Sequence, residues 1–98
     1  MEDSGIIDLY LRRSENAISE TDRKYGNYLG SIAYRILNSR EDTEEVVEDT
    51  YFRTWNSIPP TRPRVLKHFL TRITRNLSFD RLEYYGATKR SAETIALL

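Results

Sequence analysis

Apolar residues recur along this chain at three- and four-residue intervals and nowhere alternate, which is helical spacing. Four segments carry the pattern. The first, Gly5 to Arg13, is short and puts Ile6, Leu9 and Tyr10 on one face. The second opens near Ser14, a residue type that caps helix N-termini, and runs to about Asn38 with the stripe Ile18, Tyr25, Leu29, Ile32, Ala33 and Ile36. The third starts at Ser39, with Asp42 three residues on in a capping-box arrangement. Val46, Val47, Thr50, Tyr51 and Trp55 are its candidates for burial, and acids crowd the first turns, where the helix dipole favours them. Asn56 to Arg64, NSIPPTRPR, is then a stiff loop, because Pro59 and Pro60 cannot continue a helix. Pro63 suits the first turn of a fourth helix running to about Tyr85, with Gly86 as its stop. The expected fold is all-α: a compact bundle of three long helices plus a short N-terminal one.

The fourth helix divides into two faces. With Ile73 at zero and about 100° per residue, Leu66, Phe69, Leu70, Leu77 and Tyr84 fall within about 60° of it, as a core stripe. Asp80 falls there too. A buried lone carboxylate is costly, so the pattern predicts a structural Asp80 paired with Arg35 or Arg53, the alternative being a wet position at the end of the bundle. On one flank lie His68, Arg72, Asn76 and Phe79. Arg72 and Asn76, four residues apart, can reach one strip of ligand. Arginine suits phosphate, asparagine a base edge, and Phe79 or His68 an unpaired base. Arg62 and Arg64 in the proline loop are expected to extend this strip, with Lys67, Arg75 and Arg81 adding charge around it.

Composition narrows the functional classes. The chain has 98 residues, 39% hydrophobic and 31% charged, enough for one small core. Without cysteine it has neither disulfides nor thiolate metal ligands. No apolar run reaches the roughly 18–20 residues of a membrane span, and the first residues lack a signal-peptide pattern, so a cytoplasmic protein is expected. No Gly-rich phosphate loop, metal-ligand cluster or nucleophile–histidine pairing marks an enzyme or a cofactor site. The formal charge of zero conceals an asymmetry: residues 1–50 hold six Lys/Arg against twelve Asp/Glu, and residues 51–98 hold nine against three. Two surfaces of opposite sign follow, and the basic one is of the kind that faces nucleic acid, unless the halves merely neutralise each other.

Two blocks then become informative together. EDTEEVVEDTYFRTW, Glu41 to Trp55, followed by FLTRITRNLSFDRL, Phe69 to Leu82, resembles region 2 of bacterial sigma factors of the extracytoplasmic-function (ECF) type; Ala33 to Leu37, AYRIL, resembles the helix preceding both. The resemblance spans roughly Asp8 to Arg90. It implies that the helix matching Asp42 to Trp55 docks on the clamp helices of the largest subunit of core RNA polymerase, through Asp42, Glu45, Glu48, Asp49 and Phe52. It also implies that the proline loop and the helix matching Leu66 to Tyr85 recognise and melt the promoter −10 element and hold its non-template strand, with Arg72 and Asn76 facing DNA. An anti-sigma factor is a further partner that the resemblance raises. Trp55, like Asp80, is assigned a structural role.

Departures accompany the match. Phe69 stands where the family usually has tryptophan, Thr71 where it has tyrosine, and Glu48-Asp49 where it has Gln-Glu. The expected organisation is a region 2 domain over residues 1–86 and the start of a basic interdomain linker over 87–98, with no second, −35-reading domain encoded. The competing reading is a helical protein-interaction module whose basic face is merely solvated.

Overall fold

The computed structural model describes the backbone of residues 1–97 and the side chains of residues 1–87, 89 and 96. The chain forms α1 (Asp3–Leu11), α2 (Asn16–Leu37), α3 (Arg40–Ser57) and α4 (Leu66–Leu97). α2 lies at the centre and packs against the other three helices, while α3 also packs along α4. This is the all-α arrangement that the spacing predicts.

The turn between α2 and α3 takes only two residues, each suited to its backbone. Asn38 sits in the left-handed region at φ 51°, which asparagine tolerates, and its N–H closes on the Tyr34 carbonyl at 2.8 Å. Ser39 is extended, and its hydroxyl accepts the Asp42 N–H at 3.2 Å, so the expected cap is present. The expected cap at Ser14 is not. α2 begins at Asn16, and Ser14 contributes its carbonyl to the Ala17 N–H. α4 differs at both ends. It begins at Leu66, leaving Pro63 in the loop, and continues through Gly86 to Leu97. A glycine inside a helix costs about 1 kcal/mol without ending it, and Gly86 does not take the positive φ by which glycine commonly caps a helix.

Ile6, Leu9, Tyr10, Ala17, Tyr25, Leu29, Tyr51, Ile58, Leu66 and Leu70 form the hydrophobic core. The aromatic members keep their hydroxyls paired. Tyr10 bonds Thr21 at 2.6 Å, Tyr25 donates to Asp3 at 2.8 Å, and Tyr51 donates to Asp22 at 2.8 Å, so these bonds tie α1 and α3 to α2. Burial, reinforced by the neighbouring carboxylate, pushes Tyr25 up to about 12 and Tyr51 further still. Tyr51 can come this close because Gly26 is bare: a Cβ there would lie 2.6 Å from an Asp22 carboxylate oxygen and 3.4 Å from the Tyr51 hydroxyl.

The core face of α4 is turned from the one that apolar spacing predicts. Among the described residues its fully buried ones are Leu66, Leu70, Thr74 and Ser78, whereas Phe69, Ile73 and Leu77 are only half-buried. Thr74 shares a 2.9 Å hydrogen bond with Thr50 of α3, and Ser78 donates to the Thr74 carbonyl at 2.7 Å. Small hydroxyl residues that satisfy themselves in this way let two helices approach closely, and a hydropathy pattern counts them as polar. With the face so turned, Asp80 and Tyr84 leave the core. Both are exposed, and Asp80 pairs with neither Arg35 nor Arg53.

Trp55 is held by a contact that the spacing does not announce. The Arg13 guanidinium lies 3.7 Å over its ring and donates 2.7 Å hydrogen bonds to the Trp55 and Ile58 carbonyls. These carbonyls belong to the C-terminal end of α3, where helical carbonyls lack intrahelical partners.

Candidate nucleic-acid interface and acidic docking face

α4 presents a polar strip beside α2. Tyr28 of α2 with His68, Thr71, Arg72, Arg75 and Asn76 of α4 lines a shallow depression of about 410 Å³. The predicted neighbours His68, Arg72, Arg75 and Asn76 are thus brought together, all exposed. Lys67 borders the depression with its ammonium 4.6 Å from the centre of the Tyr28 ring. Among the described residues no carboxylate lies in ion-pair contact with Lys67, Arg72 or Arg75, so their charge is available to an anionic ligand. Phe79 is also exposed, with the Arg75 guanidinium 5.9 Å from its ring centre.

Arg62 and Arg64 do not join that strip. They line a separate depression against α1, with Asp3, Ser4, Ile7, Asp8 and Leu11. The loop crosses the bundle toward α1, because Ile58 is buried there and Arg13 holds its carbonyl. Thr71 and, from another helix, Tyr28 are the members of the α2–α4 depression outside the candidate contacts read from the sequence. The position of Tyr28 beside Thr71 depends on how α2 crosses α4, and a single-helix pattern carries no such signal.

The acidic face of α3 separates into two kinds of residue. Asp42 and Glu45 are already engaged: Arg81 of α4 bonds them at 2.9 and 2.8 Å, and the Tyr85 hydroxyl donates to Asp42 at 2.8 Å. Hydrogen bonds from Tyr85, then Ser39, together with the Arg81 charge, hold the Asp42 carboxyl below its usual range. Glu45 and Tyr85 in turn push the Arg81 guanidinium further into its charged form. Glu48, Asp49 and Phe52 remain exposed, Phe52 at 66%. Glu48 borders the α2–α3 groove with Glu44, Val47 and Tyr51. Asp49 and Phe52 border the α3–α4 groove, whose apolar wall is Phe69, Ile73 and Leu77. Residues that periodicity assigned to the core therefore form the floor of an accessible groove.

Among the described residues no group of three or more His, Asp or Glu side chains is arranged to hold a metal ion, and no helix is long and apolar enough to cross a membrane.

Comparison with known proteins identifies the family. Over 73 residues, 74% of the chain, the sequence is 27% identical to the ECF RNA polymerase sigma factor SigE of Mycolicibacterium smegmatis. The chain spans about 28% of that relative's length. No solved structure matches. The family model for sigma-70 region 2, a non-enzymatic family, matches residues 22–87, which takes in most of α2, the whole of α3 and the part of α4 that bears the polar strip. The chain therefore belongs to the sigma-70 region 2 family.

Proposed function

We propose that this domain acts in transcription initiation by docking on core RNA polymerase through α3 and by holding the −10 element of a promoter on α4. The observation that carries the reading is the separation of two exposed working faces. Asp49 and Phe52 border the α3–α4 groove, while unpaired Arg72 and Arg75 with Asn76 border the α2–α4 depression. An exposed aromatic is of the kind enriched at protein-contact surfaces, and acids at its rim can steer and orient a partner, which suits docking on the clamp helices of the largest polymerase subunit. Free arginines flanking an asparagine can neutralise phosphates and reach a base edge, which suits the non-template strand of melted DNA. Among the acids, Glu48 and Asp49 are the stronger docking candidates, because Asp42 and Glu45 already share the Arg81 guanidinium. In this reading residues 1–86 form the working domain and residues 87–98 lead away from it. The domain itself performs no chemistry; strand separation is driven by binding.

The test is binding of the domain to purified core polymerase, compared with Asp49→Lys. Asp49 is exposed, so the reversal is expected to leave the helical circular dichroism unchanged while abolishing docking. Unchanged docking would move the interface off this face. Failure of the intact domain to bind would favour the helical interaction module.

A further inference from the structure

Tyr28 differs from the tyrosines that build the core. Tyr10, Tyr25 and Tyr51 are buried, and their hydroxyls are held at 2.6–2.8 Å by Thr21, Asp3 and Asp22. Tyr28 is 38% exposed, and its hydroxyl has one contact among the described residues, to Thr71 at 3.5 Å. Thr71 already donates to the Lys67 carbonyl at 2.7 Å, so that contact is a weak one. The ring is therefore neither a core residue nor a tethered polar group. It borders the same depression as Arg72 and Asn76, and the depression's volume, about 410 Å³, lies within the roughly 300–1,000 Å³ of small-ligand sites. The Lys67 ammonium lies over the ring, 4.6 Å from its centre, so a base stacking there takes the ammonium's place and frees it for a phosphate.

An exposed aromatic, unpaired cations and an amide in one depression are the components that take a single unstacked nucleotide. The aromatic offers a face to the base, cations take the flanking phosphates, and the amide reaches the base edge. A duplex cannot use such a platform, because both faces of each of its bases are covered by neighbours. We propose that Tyr28 is the stacking platform for one unpaired base of the DNA strand held on α4, with Lys67 on an adjacent phosphate and Asn76 at the base edge. This rests on the DNA-binding reading of α4. It assigns the base-stacking role to a residue of α2, where the sequence alone points to His68 or Phe79. Stacking is tolerant of base identity, so Tyr28 sets affinity for the open strand and Asn76 sets preference.

The experiment measures anisotropy of a short fluorescein-labelled −10-like single strand, and of its duplex, titrated with the chain and with Tyr28→Ala, Tyr28→Phe, His68→Ala and Arg72→Ala. The same strand is then scanned with one abasic position at a time. Tyr28→Ala is expected to weaken single-strand binding about five- to a hundredfold and to leave duplex binding nearly unchanged, with Tyr28→Phe close to wild type. One abasic position should cost the wild type a similar factor and cost Tyr28→Ala nothing further, which a merely structural tyrosine would not produce. If Arg72→Ala weakens the single strand while Tyr28→Ala does not, the platform is overturned and the DNA-binding face stands. If His68→Ala carries the abasic coupling, the platform belongs to α4 and the assignment to Tyr28 is wrong. If the intact chain binds neither strand nor duplex, the DNA-binding reading and the platform fall together.

Discussion

Each end of α3 is held by an arginine from another element, and the two attachments rest on different physics. At the C-terminal end, Arg13 from the α1–α2 connection lies flat over Trp55 and donates to the Trp55 and Ile58 carbonyls. At the N-terminal end, Arg81 from α4 bonds Asp42 and Glu45, and Tyr85 completes the cluster. The first attachment satisfies backbone groups at a helix terminus and covers an indole beside fully buried Ile58. The second pairs side-chain charges at the rim, where the Glu45 side chain is 62% exposed. Geometry and packing determine the strength of the first, and solution conditions that of the second. The contrast shows that counting arginines and acids in each half of the sequence does not reveal which charges are structural and which are free for a partner.

Removing what Arg13 anchors should break the first attachment most severely. Ile58→Ala takes a fully buried side chain out of the junction of α1, α3 and the proline loop, and is expected to cost about 2–5 kcal/mol in urea unfolding. A loss below about 1 kcal/mol would mean that the loop carries no core. Arg13→Ala should come next, at about 1–2 kcal/mol, since it removes two charge-assisted hydrogen bonds and the cation over Trp55, discounted for the residue's exposure. Arg13→Lys is expected to recover only part of that loss, because an ammonium can still donate to the carbonyls but has no flat face to lay on the indole. Full recovery by lysine would reduce the attachment to a simple charge effect.

Arg81→Ala should have the smallest effect, below about 1 kcal/mol at low salt and less as salt rises, whereas the Arg13 effect should persist. The α3–α4 attachment also has a pH signature. Because the folded Asp42 carboxyl is held below its ordinary value of 3.8, its contribution to stability is present above that value and is lost as pH falls through the depressed one. Urea midpoints followed downward from pH 6 should fall more steeply in the intact chain than in Arg81→Ala. Identical slopes would show that Arg81 does not couple to this carboxylate.

Much of the architecture was legible in the sequence because it is local. Ser39 announces its cap, the proline pair enforces a loop, and the stripe of α2 names Tyr25, Leu29 and Ala33 correctly as buried. The misreading of the buried face of α4 has one cause. Thr74 and Ser78 score as polar, yet Thr74 bonds Thr50 across the seam and Ser78 donates to the carbonyl four residues earlier, so they can line a helix contact. The core of α4 therefore lies to one side of its most apolar residues. Asp80 is left outside, and Phe69, Ile73 and Leu77 are left in a groove.

The candidate interface divides in the same way. Arg72 and Asn76 share a face because helical geometry places residues four apart together, whatever the rest of the molecule does. Arg62 and Arg64 are close to them in sequence, but the path of the proline loop carries those two toward α1. The sequence by itself determined the helices, the Ser39 cap, the opposite charge of the two halves and the spacing of the α4 strip, because each is read from the residues themselves or from neighbours within a few positions. Only the tertiary structure decided which acids are already paired with an arginine, which face of α4 is buried and that Tyr28 borders the basic strip. Those outcomes depend on how close the helices approach and at what angle they cross, and both are set by side chains far apart in the chain.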